Sequence, residues 1–188
     1  MKELPEGAER VFDGVIFDVY HWQQKQFDGT TKTFECIKRP NIAVIVPIIE
    51  GKILIIQEEQ PGRPPYWGLP AGRFDRDEED PLAVAKRELL EETGMASDSW
   101  RLIHEHATTP LVVGTTYVFV ADGCAVVQEP ELDEGGEKIH ETKLVTFDEF
   151  LHLHVDETFK DAVLETTVLR ALLDPLRYAK LKRDIFGN

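Results

Sequence analysis

The chain has 188 residues, of which 42% are hydrophobic, and a formal net charge of −14. This length and composition predict one domain that is large enough to bury its own core. The negative charge argues against nucleic acid as a partner, because proteins that bind the phosphate backbone usually carry basic surfaces. No apolar run approaches membrane-spanning length, residues 1–10 contain no apolar signal-peptide segment, and Cys36 and Cys124 lack metal or redox spacing. We therefore expect a cytoplasmic protein with reduced thiols and no membrane partner.

The first part of the chain is predicted to form an antiparallel β-hairpin. Residues 10–20 and 30–39 alternate between apolar and polar side chains, as expected for two strands, and Asp28 and Gly29 supply a turn between them. We expect residues 1–40 to extend the main domain as this hairpin. A hairpin alone is marginal in water, and this one is rich in apolar residues. A second subunit, or its own domain, is therefore expected to cover it.

Two apolar strands are predicted within residues 41–60, on either side of a turn at Glu50 and Gly51. A helix is predicted at residues 81–93. Its ends are marked by residues typical of helix caps, namely Asp80, Pro81 and Gly94. Its apolar stripe consists of Leu82, Ala85 and Leu89. We expect this stripe to pack on the core and to hold the helix in a fixed position.

The last turn of this helix carries a cluster of like charges. Three glutamates crowd there: Glu88, Glu91 and Glu92. Each carboxylate near a helix C-terminus is unfavourable by about 0.3–1 kcal/mol, so stability alone does not explain the cluster. Carboxylates at fixed i and i+4 positions, with backbone oxygens from the nearby segment 69–75, suit a hard divalent cation such as Mg2+. The alternative is a solvated charged face with Lys86 and Arg87 as partial counter-ions.

The remaining elements are predicted as strands at 100–107 and 115–121, a strand leading into a short helix within 140–150, and a helix at 160–173 that Pro175 ends. Residues 176–188 are locally basic, and the sequence leaves open whether this C-terminal tail docks or frays. Strands lie on both sides of the helix at 81–93, and another helix lies near the C-terminus. This order predicts an α/β fold with a mixed sheet between helices.

The segment from Gly72 to Met95 resembles the signature of the Nudix hydrolases. That signature has a glycine, five residues, a glutamate, seven residues, arginine and glutamate, an aliphatic residue, any residue, two glutamates, any residue, a glycine and an aliphatic residue. Its positions are filled in order by Gly72, Glu79, Arg87, Glu88, Leu89, Glu91, Glu92, Gly94 and Met95. One extra residue lies between Gly72 and Glu79, in the loop before the helix. The spacing from Glu79 onward is intact.

Other features resemble the ADP-ribose and nucleotide-sugar pyrophosphatases within this family. They are the hairpin, Arg39 before a strand, the segments 57–63 and 67–75, and the acidic segment 132–139. Members usually carry a glutamate where this chain has Gly68. The resemblance implies a Nudix α/β/α sandwich with a mixed sheet, in which residues 41–175 form the hydrolase domain. It also implies metal-dependent hydrolysis of a nucleoside diphosphate linked to another moiety, such as ADP-ribose or a nucleotide sugar, to a nucleoside monophosphate and a sugar phosphate.

The resemblance implies roles for individual residues as well. The expected ligands of Mg2+ or Mn2+ are the Ala71 carbonyl and the carboxylates of Glu88, Glu91 and Glu92. Glu91 alternatively positions the attacking water, and Arg87 is expected to orient the glutamates through charge-assisted hydrogen bonds. The general base is expected in the acidic loop 131–137, with Glu137 as the first candidate and Glu134 as the second. The alternative is that this loop is an ordinary solvated turn.

Substrate contacts and assembly are further expectations. The candidates are Arg39, Arg63 and Arg73 for phosphates and Trp22, with its neighbour Tyr20, for a base. Each arginine has a simple surface role as its alternative, and aromatic residues on strands commonly pack in a core or an interface. The resemblance implies a homodimer through the N-terminal hairpin. Two other functions stay open: a Nudix pyrophosphatase for nucleoside triphosphates or other dinucleotides, and a non-catalytic regulator that binds a nucleotide sugar.

Overall fold

The computed structural model describes residues 3–75, 80–107, 111–132, 136–156, 158–161 and 163–187. Its strands are β1 (Glu9–Phe12), β2 (Asp18–Lys25), β3 (Thr31–Lys38), β4 (Ile42–Ile49), β5 (Lys52–Glu59), β6 (Tyr66–Gly68), β7 (Ala71–Arg73), β8 (Met95–Ala96), β9 (Ser99–Ala107), β10 (Val112–Val113), β11 (Thr115–Asp122), β12 (Ala125–Val126), β13 (Lys138–Val145) and β14 (Phe159–Lys160). Its helices are α1 (Pro81–Thr93), α2 (Phe147–Leu153), α3 (Glu165–Leu173) and α4 (Pro175–Phe186). Within these residues, no helix is long and apolar enough to cross a membrane.

The central sheet is mixed, as predicted. It has eight strands in the order β14-β6-β5-β4-β11-β9, with β13 paired to β5 and β7 paired to β4. The strands β4 and β11 run parallel, whereas β11 and β9 run antiparallel. Almost every residue of β4 is buried. Its continuous apolar sequence is typical of a strand that is covered on both faces.

The sheet opens between β4 and β5. These two strands pair only next to their shared turn, at Ile48↔Ile53 and the adjacent position. Farther along, β5 pairs with β6 and β4 pairs with β7. Leu69 and Pro70 therefore carry the chain from one strand to the other. This crossing brings the backbone of β7 against α1.

Alternate residues of β4 enter two separate cores. Ala43 and Ile45 face α1, whereas Val44 and Val46 face the C-terminal helices. The first core includes Val84, Ala85 and Leu89 of α1. The second includes Phe150 of α2, Val168 of α3, and Leu181 and Ile185 of α4. The sheet is thus covered by helices on both faces, which confirms the predicted α/β/α sandwich.

The predicted ends of α1 are confirmed. The side chain of Asp80 accepts a hydrogen bond from the N–H of Ala83 at 3.2 Å. Gly94 has a φ of 66°, and its N–H donates to the carbonyl oxygen of Leu90. A Cβ at Gly94 would lie 2.2 Å from the carbonyl oxygen of Gln128. The helix therefore needs glycine at this end for both its φ angle and its space.

The N-terminal region forms a second sheet with the order β1-β2-β3-β10. The strands β2 and β3 form the predicted antiparallel hairpin, and β10 adds to β3 in parallel. The prediction of a single strand over 10–20 is wrong, because β1 ends at Phe12 and β2 begins at Asp18. Between them the chain turns, and the N–H of Gly14 donates to Oδ1 of Asp18 at 3.3 Å.

The helix predicted at 160–173 begins later than expected, at Glu165. Lys160, where the helix was expected to begin, instead belongs to β14, which pairs with β6. The Asp161 side chain then accepts hydrogen bonds from the N–H groups of Val163 and Leu164 at 3.1 and 3.0 Å. A turn therefore precedes α3 at the positions where the sequence predicted the start of a helix.

The basic residues after Pro175 dock on the domain. They form α4, which buries Leu181 and Ile185 at 4% and 0% exposure. A side-chain nitrogen of Arg101 on β9 donates a hydrogen bond to the carbonyl oxygen of Ile185 at 2.8 Å. Of the two possibilities that the sequence left open for this segment, docking is the one observed.

Candidate active site

Two of the clustered glutamates are buried at the C-terminal end of α1. Glu88 and Glu92 lie one turn apart on the helix, and their exposures are 8% and 2%. The adjoining face of the helix packs on the sheet through Ala85 and Leu89. This packing fixes the helix, so both carboxylates are held beside β7.

The backbone of β7 approaches these carboxylates closely. The N–H of Ala71 donates a hydrogen bond to Oε2 of Glu92 at 3.2 Å. A Cβ at Gly72 would lie 1.8 Å from Cδ of Glu88. A side chain at the glycine that opens the signature would therefore displace the Glu88 carboxylate from this position.

Arg87 links the two edges of the glutamate cluster. Its Nη1 lies 2.8 Å from Oε1 of Glu88 and 3.1 Å from Oε2 of Glu91. Its Nη2 donates a hydrogen bond to the carbonyl oxygen of Arg73 at 3.2 Å. The guanidinium group thus ties the helix to the end of β7 and holds two carboxylates at once.

Burial raises the pKa of both buried carboxyl groups. The pKa of Glu88 rises to about 7, mainly because of burial, although the charge of Arg87 opposes the shift. The pKa of Glu92 rises well above its ordinary value, again mainly because of burial. The negative charge of Glu137 raises the pKa of both groups. The protonated forms of Glu88 and Glu92 are therefore favoured when no cation neutralises their carboxylates. A bound cation would replace these protons.

The donor groups fit a hard divalent cation. The site offers oxygen donors from the backbone of β7 and from Glu88, Glu91 and Glu92, and Mg2+ and Mn2+ prefer oxygen. In the described part of the chain, no three carboxylate, imidazole or thiolate groups are already grouped to hold a metal. The glutamates instead contact Arg87 and the N–H of Ala71. Binding a cation would require these side chains to exchange partners.

An open cleft of about 1530 Å³ passes over this end of α1. It brings together predicted site residues from several elements: Arg63, Ala71, Arg73, Arg87, Glu88, Glu91 and Glu137. Glu92 is buried beside them. The second candidate base, Glu134, lies outside the described residues, as does Glu79 of the signature. The geometry thus gathers cationic and carboxylate groups around one cavity, as a phosphorylated ligand requires.

Two predicted substrate contacts lie elsewhere in the single chain. Arg39 is half-buried and donates hydrogen bonds to the carbonyl oxygen of Pro40 at 2.7 Å and to Oγ1 of Thr116 at 2.8 Å. Trp22 is 8% exposed and packs with Cys36 in the core of the N-terminal sheet. Their observed contacts are structural: Arg39 joins β3 to β11, and Trp22 stabilises the hairpin.

Tyr66 and Lys160 also line the cleft, and sequence reasoning missed both. Burial raises the pKa of Tyr66, and a hydrogen bond with Glu58 adds to this effect. The available signal for Tyr66 was its position between the segments 57–63 and 67–75. No pattern in the sequence indicates Lys160, which lies beside the cleft because β14 pairs with β6.

Comparison with known proteins agrees with this geometry. Residues 38–166 match the NUDIX domain. The chain is 31% identical over 169 residues to an ADP-ribose pyrophosphatase from Bacillus subtilis (strain 168). The matched region covers 86% of this chain and 90% of that protein. It is 29% identical over 127 residues to an ADP-ribose pyrophosphatase from Mycobacterium tuberculosis, over 66% of this chain and 61% of that protein. A crystal structure of an ADP compounds hydrolase has the same fold, with a TM-score of 0.70 at 20% identity over 94% of this chain and 96% of that one.

The chain therefore belongs to the Nudix family, as the signature indicated. Its activity is that of a Nudix hydrolase, which cleaves a phosphoanhydride bond in a nucleotide. Nudix hydrolases generally use a divalent metal ion. The oxygen donors of the glutamate cluster agree with that requirement.

We expect Glu92→Gln to stabilise the metal-free protein, and increasingly so at higher pH. The carboxyl group of Glu92 has a higher pKa in the folded chain than in the unfolded chain. Wild-type stability therefore falls as the pH rises above the unfolded-state value, whereas glutamine does not titrate. Thermal unfolding in chelator, from mildly acidic to mildly alkaline pH, measures the difference. Glu91→Gln is the matched control, because Glu91 is on the same turn with a side chain 40% exposed; equal changes in both variants would contradict the role of burial.

Proposed function

We propose that the chain hydrolyses ADP-ribose or a related nucleotide sugar to a nucleoside monophosphate and a sugar phosphate. The observation that carries this proposal is the buried pair Glu88 and Glu92, held against β7 at one side of an open cleft. The relatives named as ADP-ribose pyrophosphatases support the substrate class. Arg63 and Arg73 supply local positive charge for a diphosphate in a chain whose net charge is −14.

The cation in this proposal is Mg2+ or Mn2+. The Ala71 carbonyl and the carboxylates of Glu88, Glu91 and Glu92 would hold it. When bound, such an ion neutralises diphosphate oxygens and makes the attacking water more acidic. Arg87 spans Glu88 and Glu91 and so sets the spacing of these carboxylates. Arg63 and Arg73 pair with phosphate oxygens, which a guanidinium group can contact with two hydrogen bonds.

Glu137 is the proposed general base. It lines the cleft, is half-buried, and lies near enough to Glu88 and Glu92 for its charge to raise both pKa values. From this position its carboxylate accepts a proton from the attacking water. Glu134 is the second candidate for the same role.

A panel of nucleotides tests the substrate class. We expect turnover of ADP-ribose or another nucleotide sugar among ADP-ribose, GDP-mannose, UDP-glucose, NADH and a nucleoside triphosphate. Turnover should require Mg2+ or Mn2+, and Glu92→Gln should remove most of it. Preference for a nucleoside triphosphate or for NADH would favour a different Nudix pyrophosphatase activity. Binding of a nucleotide sugar without turnover would favour the regulator.

Glu137→Gln tests the general base. We expect kcat to fall by about 10²–10⁴ with little change in substrate affinity, which is the usual scale for loss of a general base. Glu131→Gln is the matched control, because Glu131 also lines the cleft and belongs to the same acidic loop. Near-normal turnover in the Glu137 variant would assign the base to another residue, with Glu134 next.

We also propose that the protein is a cytoplasmic homodimer, with residues 1–40 as the dimerising extension, 41–175 as the hydrolase domain and 176–188 as the C-terminal segment. Apolar side chains at the end of β1 and in the turn between β1 and β2 are exposed in the single chain: Phe12, Val15, Ile16 and Phe17, at 59%, 103%, 46% and 49%. A second subunit would bury them. Ile16 also lines the cleft. A partner on this surface would therefore border the substrate site.

Light scattering on the full chain tests this assembly. We expect a dimeric mass at micromolar concentration, because these exposed apolar side chains are unfavourable in contact with water. Phe17→Ser should weaken the dimer. Leu173→Ser, at an 87% exposed leucine at the end of α3, is the control and should leave the mass unchanged. A monomeric wild-type chain would refute the proposal.

A further inference from the structure

A further carboxylate, that of Glu58, lies on the cleft wall at β5. On this strand Ile53 and Ile55 enter the core of the C-terminal helices, and side chains alternate between the two faces of a strand. Glu58 is therefore on the opposite face of the sheet, the face on which α1 packs. It is half-buried and lines the cleft, and its negative charge raises the pKa of Glu92. The carboxylate thus lies beside the glutamate cluster, although the signature does not include it.

Two uncharged side chains hold the carboxylate of Glu58. Tyr66 is directly opposite Glu58 where β5 pairs with β6, and its hydroxyl group donates a hydrogen bond to this carboxylate. The side-chain nitrogen of Gln60 donates a second hydrogen bond, to Oε1 at 2.6 Å. A carboxylate has about four acceptor positions, so these two donors leave others for a ligand in the cleft.

The surroundings of Tyr66 place Glu58 next to the expected position of the diphosphate. The charges of Arg63 and Glu137 both act on the hydroxyl group of Tyr66. Arg63 is a proposed phosphate contact, and Glu137 is the proposed general base. In a nucleotide sugar each end of the diphosphate carries a sugar, so hydroxyl groups come next to the phosphates. A sugar hydroxyl is therefore the group that comes within reach of Glu58.

The charge of Glu58 suits a hydroxyl group and does not suit a phosphate. A hydroxyl group donates a charge-assisted hydrogen bond to a carboxylate, and such bonds are stronger than those between neutral groups. A phosphate carries the same sign of charge as the carboxylate, and the repulsion between them is larger in a partly buried site than in water. Glu58 should therefore strengthen the binding of a sugar and oppose the binding of a phosphate group alone.

We propose that Glu58 is a specificity-determining residue, whose carboxylate accepts hydrogen bonds from the hydroxyl groups of a sugar that flanks the diphosphate. Tyr66 and Gln60 are positioning residues that hold this carboxylate in place. The inference rests on the proposed function for the class of ligand and adds the residue that recognises the sugar.

Glu58→Gln tests this role, because it keeps the size of the side chain and one acceptor oxygen but removes the charge. Glu59→Gln is the matched control. It removes the same charge from the next residue of β5, on the other face of the strand, where Glu59 contacts Nε2 of His140 at 2.7 Å. An effect of net charge alone would appear equally in both variants.

Binding is measured by calorimetry with Mg2+ and three ligands in which a methylene group replaces the oxygen between the two phosphorus atoms, so that this bond is not hydrolysed. They are the analogues of ADP-ribose, ADP and pyrophosphate. We expect Glu58→Gln to weaken the ADP-ribose analogue by about tenfold, the difference between a hydrogen bond to a charged group and one to a neutral group. The pyrophosphate analogue, which has no hydroxyl group on a sugar, should bind as well as before or more tightly.

The ADP analogue distinguishes the two sugars. If Glu58→Gln weakens it as well, the carboxylate binds the ribose of the nucleoside; if not, it binds the second sugar. Equal binding of the ADP-ribose analogue by the wild type and Glu58→Gln would overturn the inference and leave the proposed function standing. Failure of the wild type to bind this analogue would instead count against the proposed function itself.

Two further measurements separate this role from others. Mn2+ binding without nucleotide, followed by electron paramagnetic resonance, should be the same in the wild type and Glu58→Gln; weaker Mn2+ binding would overturn the inference by making Glu58 a ligand of the cation. Tyr66→Phe should weaken the same ligands as Glu58→Gln but have little further effect in the double variant, because the hydroxyl group acts through the carboxylate. Equal weakening of all three ligands by Tyr66→Phe would contradict its positioning role.

Discussion

The close approach of β7 to α1 is the constraint on which the rest of the site depends. Gly72 has no side chain, so the carboxylate of Glu88 can lie against the strand, and the N–H of Ala71 binds Glu92 from the same side. At an ordinary helix end these glutamates would be solvated surface charges. Because β7 covers them, they are buried and their pKa values rise. The close approach of β7 therefore accounts both for the unfavourable burial of these carboxylates and for the oxygen donors that a cation would use.

The helix α1 tolerates the unfavourable burial of these carboxylates because its other contacts stabilise it. Ala85 and Leu89 are fully buried against the sheet, and the ends of α1 are capped by Asp80 and Gly94. Arg87 is the only cationic side chain among the contacts of Glu88 that the described residues show, and Glu91 shares it. The protein thus supplies a rigid support for the cluster and only partial neutralisation of its charge.

Local signals in the sequence predicted the helix and its glutamates, because caps, spacing and the apolar stripe all act within a few residues. The same reasoning predicted Arg63, Arg73 and Glu137 as site residues, and all three line the cleft. It did not find Tyr66 or Lys160, since both depend on strand pairing between distant segments. Long-range packing also decided the surroundings of Arg39 and Trp22, which contact other parts of the fold in the single chain.

The crossing of the chain at Leu69 and Pro70 has a consequence for how this enzyme can diversify. Before the crossing, β6 pairs with β14 and packs against the core of the C-terminal helices through Trp67. After it, β7 contacts α1, while Ala71 still packs against that same core. The cleft wall at β14 and the glutamates of α1 thus lie in different layers, and the segment between them contacts both. If the proposed function holds, substitutions around β14 would change the cleft wall while the glutamate cluster keeps its own support on α1. Ligand choice and reactivity would then be free to change separately during evolution.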